Sequence, residues 1–156
     1  MKTLKKILVP VDLSEASQGA IEYASALAAQ YGSEVVFLHV ITEKEAELIA
    51  TSHVPRAPID EVFSELKQRL YGQILTETPA LLAESRKAEI EISMGEPEEA
   101  ILAVANRIDA DLIVMGTHGR TGLSHLLMGS VAEHVIRSAL CPVLTVKAGE
   151  LVPKAA

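Results

Sequence analysis

Residues 4–41 read LKKILVPVDLSEASQGAIEYASALAAQYGSEVVFLHVI. Two apolar runs, Leu4–Val11 and Glu34–Ile41, flank an interval with a helical pattern. Each run is nearly continuous (KILVPV, VVFLHVI) rather than alternating. Strands buried on both faces read this way, as in a parallel sheet covered by helices. Between them, Ala16, Ala20, Tyr23, Ala24, Leu27, Ala28 and Tyr31 recur at helical spacing, which predicts a helix over Ser14–Tyr31. Ser14 or Asp12 can cap its start, and Gly32 stands where a C′ glycine belongs. Strand, helix, strand in this order is a βαβ unit.

The same alternation continues to the end of the chain. Asp111–Met115 and Pro142–Lys147 are further near-continuous runs (LIVM, PVLTV). Ala88–Met94, AEIEISM, alternates with period two, so one of its faces is wet and it reads as an edge strand. Glu43–Ala50 suits a short helical turn, and Thr51–Ile59, with Pro55 and Pro58, reads as loop. Asp60–Arg86 is helical in pattern, with Pro79 expected to kink or divide it. Gly95-Glu96-Pro97-Glu98-Glu99 is a helix start, with proline at the first position and acids in the first turn. Ile101, Leu102, Val104, Ala105 and Ile108 supply that helix with a buried stripe. Ser130-Val131-Ala132-Glu133 has the Ser-x-x-Glu form of a capping box, for a helix running to about Ala139 before Pro142. The resulting order β-α-β-α-β-α-β-α-β predicts an α/β fold, an open parallel five-stranded sheet with right-handed crossovers and helices on both faces. The expected organisation is one domain over 1–148 and a frayed tail over 149–156.

Composition fits this architecture and narrows the function. Of 156 residues, 49% are hydrophobic and only 3% aromatic, with no Trp, so the core must be aliphatic and rich in Ala. A chain of this size buries about 68–70% of its unfolded surface and needs no metal or disulfide to fold. Lys and Arg number 14 against 21 acids, a net charge of −7, which argues against nucleic acid as a partner. The single cysteine, Cys141, excludes an internal disulfide and fits a reducing compartment. The basic start MKTLKK is followed by an apolar run that Asp12 stops too early for a signal peptide. No run approaches the roughly 18 apolar residues of a membrane span. The expectation is a cytoplasmic protein.

In open α/β sheets ligands bind beyond the carboxyl ends of the strands. The fourth run is followed there by GTHGRTGLSHLLMGS, in which Gly116, Gly119, Gly122 and Gly129 gather four of the nine glycines of the chain. Glycine lets the backbone turn and come close to a ligand. A helix start follows, whose N–H groups and dipole favour an anion. The pattern suits a polyphosphate cradle, with Arg120 as a cation and Thr117, Ser124 and Ser130 as hydroxyl donors. The plainer alternative is a strand-to-helix turn. No G-x-x-x-x-G-K-[ST] loop and no G-x-G-x-x-G fingerprint is present.

These residues resemble the universal stress protein family. The resemblance runs from Ile7 to Lys147 and rests on the fingerprint G-x-x-G-x9-G-[ST], here Gly116-Thr117-His118-Gly119, nine residues, then Gly129-Ser130. ILVPVDLSEAS, GEPEEAI, DLIVMGTHG and CPVLTVK support it in that order. The resemblance implies a Rossmann-like sheet in order 3-2-1-4-5, a homodimer, and ATP binding in members that keep the fingerprint. By position, Pro10, Val11 and Asp12 match the nucleoside-side contacts, and Val40 matches the residue whose backbone meets adenine. Met115, Gly116, His118, Gly119, Arg120, Gly129, Ser130 and Val131 match the ribose and phosphate contacts. Arg120 stands where Lys is also common, and the segment 43–59 carries no shared pattern.

The residues themselves show no nucleophile–base pair and no metal-ligand spacing, so no catalytic or metal-binding residue is assigned. His118 has no obvious triad partner, and His125 and His134 read as surface histidines. His53 and Arg56 stand in a loop that reads as a lid or a merely mobile segment. The expected role is an ATP-binding (or AMP/ADP-binding) regulator or sensor, with Mg²⁺ or Mn²⁺ carried by the phosphates and a protein partner unnamed by the sequence. The alternatives are a slow ATPase or self-phosphorylating enzyme, and an interaction module without nucleotide. The last strand, VLTV, is an aggregation hazard as a bare edge, and pairing with a second copy through Pro142–Lys147 would cover it.

Overall fold

The structure, a computed structural model, describes residues 3–12, 14–51, 58–77, 88–117 and 128–147. The elements in chain order are β1 (Lys6–Pro10), α1 (Glu15–Tyr31), β2 (Glu34–Ile41), α2 (Glu43–Thr51), α3 (Ile59–Glu77) and β3 (Ala88–Met94). They continue with α4 (Pro97–Arg107), β4 (Leu112–Gly116), α5 (Ser130–Ser138) and β5 (Val143–Val146). The strands form one sheet in the order β3-β2-β1-β4-β5, with every pair parallel, so the predicted fold class and strand order hold. The predicted kink at Pro79, the loop residues His53 and Arg56 and the tail 149–156 lie outside the described residues.

Two apolar layers hold the sheet. On one face, Ile7, Val9, Val35, Phe37 and Val114 meet Ala20, Ile21, Ala24 and Ala28 of α1 and Leu70 and Ile74 of α3. On the other, Leu8, Val36, Leu38, Ile113 and Met115 meet Ile101, Val104 and Ala105 of α4 and Ala132 and Val135 of α5. The continuous runs are therefore strands whose successive side chains enter opposite layers. The alanines of α1 bring its backbone close to the sheet, and Phe37 is the one aromatic buried at its centre. Burying each Val, Leu, Ile or Phe side chain contributes about 1.5–3 kcal/mol. The alternating strand β3 lies at the sheet edge, and Glu91 on it pairs with Arg107 of α4 through both carboxylate oxygens, at 2.6 and 2.5 Å.

Helix ends follow local chemistry with one correction. Gly32 adopts the left-handed conformation (φ 68°) and its N–H donates to the Ala28 carbonyl, as a C′ glycine does. Pro97 opens α4 behind Glu96. The Ser130–Glu133 capping box, however, does not form. The Gly129 carbonyl accepts the first helical bond, from Glu133 N–H at 3.0 Å, so Gly129 is the cap and Ser130 already lies in the helix. The cause is tertiary: Gly129 N–H donates to the Thr117 carbonyl at 2.8 Å and holds the chain extended until residue 129. Glu133 turns instead to Arg137 on the next turn, at 2.8 Å. The reciprocal box forms at an unpredicted place, the start of α2. Glu45 accepts from Thr42 N–H at 2.9 Å, and the Thr42 hydroxyl accepts from Glu45 N–H at 3.3 Å.

Asp111 secures the other end of the sheet. It precedes β4, and its Oδ2 accepts from the N–H groups of Lys5 and Lys6 at 2.9 and 3.1 Å, tying β4 to the start of β1. Hydrogen bonds to a charged acceptor contribute about 1.5–3 kcal/mol, less where solvent reaches them, so Asp111→Ala is expected to lower unfolding free energy by about 2 kcal/mol in urea titration. A loss below a few tenths would show that the tie carries no stability.

Candidate functional site

Strands β1 and β4 are neighbours, yet they pass the chain to opposite faces of the sheet. Helix α1, after β1, packs in one apolar layer, and α5, after β4, packs in the other. A cleft must open between their carboxyl ends, the topological switch point of the sheet. The structure has a cavity of about 500 Å³ there. Small-molecule sites are typically about 300–1,000 Å³.

Most of the sequence-predicted site residues fall on this one cavity. Pro10, Val11 and Asp12 line it from the end of β1, and Val40 from the end of β2. Met115 and Gly116 line it from β4, and Gly129, Ser130 and Val131 from the start of α5. His118, Gly119 and Arg120 lie outside the described residues, as do Gly122, Ser124 and His125. The fingerprint residues Gly116 and Gly129 both border the cavity, and Thr117 joins them. Thr117 is 7% exposed; its carbonyl accepts from Gly129 N–H, and its own N–H donates to the Val146 carbonyl at 3.0 Å.

Asp12 is held by the first turn of α1. Its Oδ1 accepts from Ser14 N–H at 3.0 Å, from the Ser14 hydroxyl, and from the Ser17 hydroxyl at 2.5 Å. The Ser17 hydroxyl accepts in turn from Asp12 N–H at 3.0 Å. Asp12 therefore binds the N-cap residue Ser14 and the Ser17 hydroxyl, and its carboxylate is fixed where it borders the cavity, while the expected side-chain cap of the helix is not made by Ser14. Ser14 turns its hydroxyl to Asp12 and makes no cap bond of its own.

The start of α5 offers donors. Glu133 is the first residue of the helix to bond backwards, so the N–H groups of Ser130, Val131 and Ala132 have no intrahelical acceptor. All three residues line the cavity. Gly129 N–H is engaged with Thr117, so the donors begin one residue later than the Gly129–Ser130 spacing suggests.

The end of β2 offers a peptide edge. Even-numbered residues of β2 face β1: Glu34 N–H donates to the Lys5 carbonyl at 2.7 Å, and the Leu38 carbonyl accepts from Val11 N–H at 2.8 Å. Odd-numbered residues face β3, where the Ile41 carbonyl accepts from Gly95 N–H at 3.0 Å. Val40 therefore turns both its N–H and its C=O toward β1, beyond the point where β1 ends at Pro10. No backbone group among the described residues closes on them from that side.

Several cavity residues have no counterpart among the predicted ones. Leu38, Pro97, Ile101 and Ala132 are apolar wall, and Ser17 and His39 are buried polar groups. Thr42, Lys44 and Glu45 border the cavity from the start of α2. The signal for them is the Thr-x-x-Glu spacing, which fixes α2 beside the end of β2. Among the described residues no cluster of three or more His, Cys, Asp or Glu could hold a metal ion, and no helix is long and apolar enough to cross a membrane.

The universal stress protein family model matches residues 3–147. The chain belongs to the universal stress protein family. Universal stress protein MJ0577 of Methanocaldococcus jannaschii is 35% identical over 159 residues, 92% of this chain and 94% of that protein. Universal stress protein YxiE of Bacillus subtilis is 35% identical over 146 residues, 91% of this chain and 98% of that one. The solved structure of MJ0577 matches with a TM-score of 0.73 at 33% identity, covering 94% of this chain and 97% of that one. A universal stress protein from Archaeoglobus fulgidus, solved in complex with dAMP, matches with a TM-score of 0.62 at 25% identity, covering 94% of this chain and 100% of that one.

Proposed function

We propose that this universal stress protein binds ATP, or AMP or ADP, in the cavity between β1 and β4 and acts in the cytoplasm as a regulator set by that nucleotide. The observation that carries the proposal is the pairing of two recognition elements across one cavity. Val40 offers an N–H beside a C=O at one end, and Ser130, Val131 and Ala132 offer N–H groups at the other. The Watson–Crick edge of adenine presents an acceptor beside an exocyclic amine donor, which complements a strand peptide edge. Guanine presents the reverse order in the same pose. Phosphates suit the helix start, where the dipole adds to the N–H donors. Asp12, fixed by Ser14 and Ser17, is placed to accept from ribose hydroxyls.

The fingerprint Gly116-x2-Gly119-x9-Gly129-Ser130 and the dAMP complex of the Archaeoglobus relative support the same reading. The net charge of −7 gives an anionic ligand no long-range attraction, so the affinity must be local. Mg²⁺ or Mn²⁺ would be carried by the phosphates, and His118, Gly119 and Arg120 belong to the proposed phosphate-side contacts.

The proposal includes a homodimer through β5. The carbonyls of Pro142 and Val146 accept from Ile113 and Thr117, so even-numbered residues of this strand face β4. Val143 and Thr145 then turn their N–H and C=O groups outward at the edge of the sheet. Leu140, 87% exposed, and Ile136, 42% exposed, lie just before that edge. A second copy across a two-fold axis would satisfy the row and cover the apolar residues. Thr117 links this edge to the site, because it bonds both Val146 and Gly129. Phosphates held at Gly129 and the start of α5 would thus bear on the dimer edge, and this is the proposed route of regulation.

Two variants separate these claims. Gly129 lines the cavity, and its φ of −66° is open to valine, so Gly129→Val tests crowding rather than backbone strain. Calorimetric titration with MgATP should show binding by the wild type and at least about tenfold weaker binding by Gly129→Val. Equal affinities would move the site elsewhere. Thr145→Pro removes an outward N–H without touching the bonds to β4, and sedimentation should show a dimer in the wild type and a monomer in the variant. A wild-type monomer would refute the β5 interface.

A further inference from the structure

His39 lies one residue before Val40, on the opposite face of β2, and is only 3% exposed. Its Nδ1 stands 2.8 Å from the Val11 carbonyl oxygen. A carbonyl oxygen can only accept, so Nδ1 carries the proton and donates. That fixes the ring by a bond to the last backbone acceptor of the β1–β2 ladder.

The position of that acceptor matters. The ladder between β1 and β2 advances two residues at a time on each strand. Glu34 N–H donates to Lys5 at its start, and Val11 N–H donates to Leu38 at its end. The next rung of a regular parallel ladder would be Val40 N–H to the Val11 carbonyl. That rung is not made. The carbonyl that would receive it is held by the His39 ring instead.

We infer that His39 is a positioning residue for base recognition: by engaging the Val11 carbonyl it stops the β1–β2 ladder one rung early and leaves the Val40 peptide edge open to the adenine ring. The inference rests on the nucleotide reading of the cavity, because it assigns the open edge to a base. It explains why a polar residue is buried near the carboxyl end of β2, beside the cleft. An apolar residue there would leave the Val11 carbonyl to Val40 N–H, and the ladder would close over the place the base occupies. A buried backbone group seeks a partner, so this competition has a definite outcome whichever donor is present.

Amide hydrogen exchange and nucleotide titration test this together. In the wild type without nucleotide, the Val40 amide is expected to exchange on the order of a hundredfold faster than the Leu38 amide, which is paired to β1. In His39→Leu, Val40 should become protected, ATP affinity should fall by about tenfold, and the preference for ATP over GTP should shrink. His39→Asn keeps a side-chain N–H donor near the position of Nδ1 and should restore both properties. Equal protection of Val40 and Leu38 in the wild type would overturn the inference, even if His39→Leu does not fold. So would a folded His39→Leu that keeps the wild-type ATP affinity and base preference. A wild type that binds neither nucleotide would instead overturn the nucleotide reading, and the base-contact assignment would fall with it.

Discussion

Strand β1 is paired on both edges, by β2 and β4, and its residues Ile7, Leu8 and Val9 are fully buried between the two helical layers. The rest of the structure is arranged around that strand. Parallel neighbours on both sides force each connection to cross over a face of the sheet. The connections after β1 and β4 leave to opposite faces, so the chain cannot fill the space between their ends. The cavity is thus a consequence of strand order, and the side chains and peptide groups beside it decide what it holds. Asp111 fastens the amino ends of the same two strands, which leaves the carboxyl ends as the place where they part.

Thr117 ties the end of β4 to the start of α5 and to β5. Its carbonyl accepts from Gly129 N–H, and its own N–H donates to the Val146 carbonyl at the end of β5. This brings together three things that sequence order separates: the glycine fingerprint, the helix start and the exposed edge strand. It also accounts for the displacement of the helix cap from Ser130 to Gly129. The first-turn donors of α5 are then the N–H groups of Ser130, Val131 and Ala132, which belong to residues lining the cavity and are unused by the helix.

Much of the fold was legible in the sequence because burial leaves periodic marks. Continuous runs such as KILVPV mark strands covered on both faces, and AEIEISM marks the edge strand β3. Gly32 and Pro97 mark helix ends through backbone constraints that belong to those residues alone. The site was legible in part for the same reason, since strand ends and glycine spacing place Asp12, Gly116 and Gly129. What could not be read were bonds between groups distant in sequence. The His39 bond to Val11 spans 28 residues, and those of Asp111 to Lys5 and Lys6 span more than 100. The Ser130 box failed and the Thr42 box formed although both have the same spacing. A distant carbonyl, that of Thr117, decided the first case.

The acidic composition and the scarcity of aromatic residues bear on the central claim from two directions. A net charge of −7 leaves recognition of an anion to short-range donors, and the few aromatics leave a base to aliphatic walls and a peptide edge. Both requirements converge on backbone N–H groups at Val40 and at Ser130 to Ala132. The most direct test is therefore a backbone amide map of the full chain, by ¹⁵N–¹H spectroscopy, during titration with MgATP. The account predicts saturable shifts concentrated at Val11, Val40, Thr117, Ser130, Val131 and Ala132. Shifts confined to the groove between α3 and β3, at Ser64, Lys67 and Tyr71, or a spectrum that does not change at millimolar MgATP, would contradict it.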